Sequence, residues 1–245
     1  MLPIALLCAA AFAAAASGCF RGGAAGRPPL SAAVSDADWG GADCVPPEAA
    51  AAPEAAPAGP PPPPAAPARE SVLFEEAVLR GLPRGALLLV ADTSSGVATL
   101  VSRGRAIWRM PFSGASAGLG SKAGSNMTPP GWHRVAERFG AGAAPGTLFV
   151  SRRATGRVLG PAEWNAPDPA EDAVLTRVMW LEGLEPGVNK GPGIDSHERF
   201  IYLHGTNQEQ KLGTPASHGC LRFSNADVAK LFDLSEGVEL YCFIE

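Results

Sequence analysis

The sequence predicts a mainly β domain with one or two short helices, preceded by a disordered Ala/Pro-rich tether. Three observations predict it. From Gly85 onward, apolar runs of strand length recur between glycine- or serine-rich turns. Helical spacing is confined to two short stretches, one near Glu70 to Leu79 and one after Ser224. Before Glu70 the chain is dominated by alanine, proline and glycine, a composition that buries little apolar surface. The 245 residues suit one or two domains, and the 46% apolar content is inflated by alanine. A formal net charge of −4 leaves no electrostatic footprint for nucleic acid, and no internal repeat is visible.

Taken in order, residues 1–18 read as an export signal of lipoprotein type. The apolar run Met1 to Ser17 is too short for a membrane-spanning helix and suits a signal h-region, although no Lys or Arg precedes it. It ends in Ala16-Ser17-Gly18-Cys19, similar to a bacterial lipobox, which makes Cys19 the expected lipidation site. Lipid on Cys19 would anchor the chain to a membrane, each buried CH₂ adding roughly 0.8 kcal/mol. Residues 19–69 form the tether, in which Gly59-Pro60 to Pro64 favours extended polyproline II. Residues 70–83 are a helical lead-in, with Phe74, Ala77 and Val78 on one face and Gly81 and Pro83 as the stop. Residues 84–245 are the expected folded domain.

Within that domain, Ala86 to Ala91 is a continuous apolar strand, followed by a turn at Thr93-Ser94-Ser95-Gly96. Val97 to Val101 and Ala106 to Phe112 form a hairpin around Ser102-Arg103-Gly104. Gly114 to Asn126 is a surface loop; Gly118-Leu119-Gly120-Ser121-Lys122 lacks the spacing of a phosphate-binding loop, and no cofactor is expected. Thr128-Pro129-Pro130-Gly131 turns the chain into a strand from Trp132 to Ala136. Thr147 to Ser151 and Val174 to Leu181 are further strands, with proline- and glycine-broken loops expected over Gly156 to Ala170 and Gly183 to His197. Phe200 to Leu203 is a strand, and Val238 to Glu245 is the last, with Cys242 on its core face by period two. Pairing of Cys242 with Cys44, which falls in the tether, is not expected.

The chemistry concentrates in Ser217-His218-Gly219-Cys220, with His204 sixteen residues upstream at the end of a strand. A thiol just before a helix start at Ser224 would meet the positive end of the macrodipole, which favours thiolate. Gly219 removes a side chain where a substrate carbonyl must approach. His204 supplies a base, so Cys220 and His204 form a Cys/His arrangement for acyl transfer. The backbone N–H groups of Gly219 and Cys220 are candidate oxyanion donors. Tyr202 shares the strand face of His204, whereas His133 and His197 stand alone in their stretches.

Tyr202-Leu203-His204-Gly205-Thr206 and Gly213-Thr214-Pro215-Ala216-Ser217-His218-Gly219-Cys220-Leu221-Arg222 resemble the catalytic signature of L,D-transpeptidases with a YkuD-type domain. Ser125-Asn126-Met127-Thr128-Pro129-Pro130-Gly131 is similar to the Thr-Pro-x-Gly turn of the same family. The resemblance covers roughly Arg84 to Glu245. It implies a β-sandwich of mixed sheets, and a cysteine acyltransferase that cross-links peptidoglycan stem peptides through a Cys220 thioester. It places the third catalytic element on the residue after His204. That residue is Gly205, so only its carbonyl is left to orient the imidazole. Ser217 and His218 would shape the loop and support the thiolate, or His218 would be structural. Arg222 would bind a stem carboxylate or bridge surface acids, and Tyr202 would line the cleft or join the core. The expected setting is the periplasmic face of a bacterial membrane, as a monomer. Hydrolytic trimming of stem peptides, as an L,D-carboxypeptidase, uses the same thioester. A non-catalytic wall-binding lipoprotein is the reading outside enzymes. A zinc site from His204, His218 and Cys220 lacks both a known spacing and a fourth ligand.

Overall fold

The computed structural model describes residues 68–165 and 172–245. The signal, Cys8, Cys19, the tether and Cys44 lie outside the described residues. Helix α1 (Arg69–Leu79) comes first and buries Phe74 and Ala77, three residues apart on one face. Strands β1 (Leu87–Asp92), β2 (Val97–Ser102) and β3 (Arg105–Pro111) follow as an antiparallel meander. The β2–β3 turn is made by Arg103 and Gly104, with φ of 49° and 76°, the handedness that matches strand twist in a two-residue hairpin.

Then come β4 (Gly131–Phe139), β5 (Thr147–Val150), β6 (Arg153–Val158), α2 (Pro161–Trp164) and β7 (Val174–Gly183). The chain closes with β8 (Tyr202–Gly205), β9 (Leu221–Phe223), α3 (Asn225–Leu234) and β10 (Leu240–Ile244). The strands run β3-β2-β1-β10-β4-β7-β5-β6, with β8 paired to β7 and β9 paired to β8. β1–β10 and β8–β9 are parallel and the other pairs antiparallel, so the fold is mainly β with mixed pairing.

β10 lies inside the sheet, between β1 and β4, and Cys242 is a fully buried free thiol there, as its alternation predicts. Because β1 is covered on both faces, its residues divide between two cores. Leu87, Leu89 and Ala91 join β2, β7, β9 and α3 residues in the larger core. Leu88 and Val90 face the other way, against Phe74, Ala77 and Trp132, where α1 covers the sheet. Ser224 caps α3 by accepting the Asp227 N–H at 2.9 Å, and Val228, Leu231 and Phe232 anchor the helix.

Two expectations are corrected. Part of the expected loop over Gly156 to Ala170 is strand β6 and the short helix α2. Every residue of β6 is exposed, so no apolar period marks it, and it owes its form to pairing with β5. Cys220 does not precede a helix. Strand β9 intervenes, which removes the macrodipole argument for a thiolate.

Candidate active site

The site is built where β8 and β9 lie side by side. Their parallel register pairs Leu203 with Leu221 and His204 with Arg222, which places Cys220, just before β9, against the start of β8. The Cys220 Sγ accepts the Tyr202 N–H at 3.4 Å and donates to the Phe200 carbonyl at 3.4 Å. Backbone on either side of Ile201 therefore fixes the sulfur. Cys220 keeps part of its surface open to solvent, but packing around the sulfur pushes its thiol up to about 11. Cys220 at rest is a thiol, opposite to the thiolate expected from a helix terminus.

His204 is buried, and its Nδ1 lies 2.8 Å from the Gly205 carbonyl oxygen. A carbonyl can only accept, so Nδ1 carries the hydrogen and Nε2 carries the lone pair. Burial holds this imidazole below its ordinary value, while the Asp172 carboxylate acts in the opposite direction. A neutral imidazole and a neutral thiol thus share the site.

The nucleophile loop is pinned from three sides. Ser217 is fully buried; its N–H donates to the Gly114 carbonyl at 2.9 Å, and its carbonyl accepts the Ser116 N–H at 3.0 Å. Its hydroxyl donates to the Cys220 carbonyl at 2.6 Å and accepts the Gly219 N–H at 3.1 Å. The Gly219 N–H is therefore committed, and the expectation that it serves an oxyanion is corrected. Gly219 has φ of +128°, and a Cβ there would meet Ile201 Cδ1 at 3.3 Å and the Met127 carbonyl oxygen at 3.4 Å. Thr128 completes the support: its hydroxyl accepts the Ala115 N–H at 2.9 Å and donates to the Gly219 carbonyl at 3.0 Å.

Two other expected positions differ. His218 is exposed and makes no hydrogen bond among the described residues, so its side chain does not shape the loop. Arg222 is only 1% exposed; its guanidinium pairs with Asp172 at 2.5 Å and donates to Gln208 Oε1 at 3.2 Å. Buried and paired with an acid, it does not present its guanidinium to solvent, and it lies beside His204 in the β8–β9 register. Among the described residues no three His, Cys, Asp or Glu side chains converge as a metal-binding group, and no helix is long and apolar enough to cross a membrane.

Sequence reasoning missed the wall above the thiol. Trp180 on β7 stacks on His197 at 3.8 Å and lies 5.6 Å from Phe200 and 5.7 Å from Tyr202, between ring centroids. Arg152 covers Trp180, and Arg199 donates to the Gly120 and Met127 carbonyls at 3.1 and 2.6 Å, tying the glycine-rich loop to the site. These residues come from separate stretches, and no spacing joins them. The register of β7 on β8, which pairs Trp180 with Tyr202, is the signal that finds them.

A model of the L,D-transpeptidase catalytic domain matches residues 87–238, more than half of the chain. The chain belongs to the L,D-transpeptidase catalytic domain family. No curated protein matches it. Similar solved structures include an L,D-transpeptidase from Mycobacterium smegmatis, 18% identical over 65% of this chain and 58% of that one, with a TM-score of 0.37. Another, from Mycobacterium tuberculosis, is 17% identical over 65% of this chain and 57% of that one, with a TM-score of 0.38. A third, residues 123–326 of an L,D-transpeptidase from Xylanimonas cellulosilytica, is 18% identical over 71% of this chain and 68% of that one, with a TM-score of 0.37. The L,D-transpeptidase domain thus spans less than two thirds of the two mycobacterial chains.

Proposed function

We propose that this chain is a cell-envelope cysteine L,D-transpeptidase that cross-links peptidoglycan stem peptides. The observation that carries this reading is the Cys220 thiol held against the backbone of Phe200 and Tyr202, on the strand that bears a buried His204 with its Nδ1 tied to the Gly205 carbonyl. In the proposed reaction Nε2 of His204 takes the thiol proton as Sγ bonds to the attacked carbonyl carbon. The Cys220 N–H stabilises the oxyanion, a contribution of roughly 3 kcal/mol for one donor. The C–N bond then breaks, and His204 returns the proton to the departing D-alanine amine. A side-chain amine of a second stem attacks the thioester, gives its proton to His204, and displaces the sulfur. Gly205 supplies the orienting carbonyl, Ser217 and Thr128 hold the loop, and Tyr202 lines the cleft.

The same reading makes Cys19 a lipidated terminus that places the domain at the periplasmic face of a membrane. Inhibition of lipoprotein processing is expected to leave a larger precursor, and an unchanged size removes the anchor without touching the enzyme. The enzyme itself is tested by intact mass after incubation with a disaccharide-tetrapeptide. A thioester adduct and D-alanine release are expected in the wild type and absent in Cys220→Ala and His204→Ala. Absence of both in folded, reduced wild type overturns the assignment. Release without cross-linked product assigns water as the acceptor.

A further inference from the structure

The aromatic wall beside Cys220 carries a cation that the reaction above does not use. Arg152 sits with Ser151 in the turn between β5 and β6, and their φ values are 67° and 48°. Glycine, asparagine and aspartate adopt such angles at least cost in a two-residue hairpin turn. Holding serine and arginine there costs the backbone something, and the return is the placement of one side chain. The Arg152 guanidinium carbon lies 4.3 Å from the Trp180 ring centroid and 5.5 Å from that of Phe200. Its Nη1 donates to the Tyr202 hydroxyl at 3.0 Å. Stacking and this hydrogen bond fix the plane of the guanidinium, using one of its five N–H groups.

The fork that remains has no acidic partner, since among the described residues no carboxylate pairs with Arg152. Glu137, on the same wall, is engaged by His197 at 3.1 Å. Arg152 is partly buried, keeping some of its surface in solvent, and Phe200 beside it is 52% exposed, so the fork can be reached from solvent. The other two arginines of the site are taken: Arg222 by Asp172, Arg199 by two backbone carbonyls. The wall is also tied to the nucleophile, because Tyr202 supplies the N–H on Cys220 Sγ and Phe200 the carbonyl that accepts from it. One tyrosine side chain separates the sulfur from the guanidinium.

We infer that Arg152 binds a carboxylate of the donor stem peptide and so sets the specificity for the acyl donor, an inference that rests on the proposed transpeptidase reading. The chemistry of that donor requires such a group. The attacked carbonyl is followed by a single D-residue whose α-carboxylate is free, and a diamino acid in the third position can carry a second carboxylate. A planar, preorganised fork recognises either by two parallel N–H···O bonds. A peptide that presents its carboxylate to Arg152 sets its amide above Cys220.

The test uses the full chain with Cys220→Ala, so that binding is measured without turnover. The ligands are the disaccharide-tetrapeptide, its C-terminal carboxamide, and the form amidated on the diamino acid side chain. Affinity is read by calorimetry and by tryptophan fluorescence, since Trp180 lies under the guanidinium. One of the two amides is expected to bind about tenfold or more weakly than the acid, the loss typical of a charge-assisted pair, and the one that does identifies the carboxylate. Arg152→Met in the same background is expected to weaken the acid by the same factor and to erase the difference between acid and amide. Arg152→Lys, which keeps the charge without the fork, is expected to restore part of it. Equal affinity for all three peptides, or an equal loss for all three in Arg152→Met, overturns the inference. If none binds, the inference falls, and thioester formation by the wild type then decides separately whether the transpeptidase reading falls with it.

Discussion

Gly205 follows His204 at the end of β8, and it has no side chain with which to orient the imidazole. The packing explains why no side chain stands there. A Cβ would lie 2.5 Å from Asn225 Oδ1 and 2.9 Å from the Leu175 carbonyl oxygen, both held in the interior. The orienting role passes to the Gly205 carbonyl, which sequence alone permits by elimination and the 2.8 Å contact makes geometric. Gly205→Ser is therefore expected to destabilise the fold by about 1–3 kcal/mol through overpacking, and to lower rather than raise turnover. Melting temperature and D-alanine release check both parts, and a gain in activity would show that the site accepts a side-chain orienter. The thiol gives a second prediction. With Cys220 pushed up to about 11, its alkylation by iodoacetamide is expected to be slow at neutral pH and to climb through the alkaline range. A rate that levels off below pH 8 would mean that a thiolate–imidazolium pair already exists at rest. That His204 and Cys220 belong to neighbouring stretches of the fold was legible from residue type and spacing. The protonation of the thiol was not, because it depends on how tightly the fold packs around the sulfur.

The elements around the site show the same division. The Thr-Pro-Pro-Gly stretch was legible as the approach to a strand, although it forms no turn: Thr128 bridges Leu119 and Gly131 already opens β4. That its threonine reaches the nucleophile loop was not, for the contact spans ninety-one positions between Thr128 and Gly219. This hydroxyl hydrogen-bonds the loop before β4 to the glycine beside Cys220, and it also satisfies the Ala115 N–H. Thr128→Val keeps the shape and leaves both backbone partners buried without a bond. The expected cost is about 1–3 kcal/mol, with a larger fall in the rate of thioester formation than in peptide affinity. Denaturant midpoints and single-turnover mass measurements separate the two, and an unchanged thioester rate would show that Ser217 alone holds the loop. Strands β6 and β9 escaped sequence reasoning for opposite reasons. β6 is exposed on every residue, so it has no apolar period to read. β9 is buried on every residue and only three long, too short to distinguish from the lead-in to α3.

At the scale of the molecule, one sheet serves as the shared wall of two cores, and the site depends on the sheet keeping its register. His133 stands in the middle of that wall, in register with Cys242 on β10 and Gly183 on β7. Its Nδ1 faces the Gly131 carbonyl at 2.9 Å, so it carries the hydrogen there, and Nε2 accepts the Ser196 hydroxyl at 3.0 Å. Burial is the main cause that lowers this imidazole from 6.5 to about 4, the Gly131 carbonyl opposes it, and the Arg199 cation adds to the lowering. Above pH 6.5 the folded and unfolded chains both hold it neutral, and stability does not depend on it. As pH falls below 6.5 the unfolded chain takes a proton that the folded chain refuses until about pH 4. Stability must therefore fall through that window, by about 3 kcal/mol from this residue, and level off below it. His204, held low by the same burial, adds a loss of the same sign. The urea midpoint of the wild type is expected to drop between pH 7 and pH 4.5, before most carboxylates titrate. His133→Gln, neutral at both pH values, is expected to lose much of that drop even if it starts from a lower midpoint. A drop of the same size in His133→Gln would move the acid sensitivity elsewhere, with His204→Gln the next variant to compare. The charge matters to the whole fold because neither face of the sheet at His133 offers water to a cation. The sheet that loses stability also carries the site, so activity is expected to fade with stability over the same pH window.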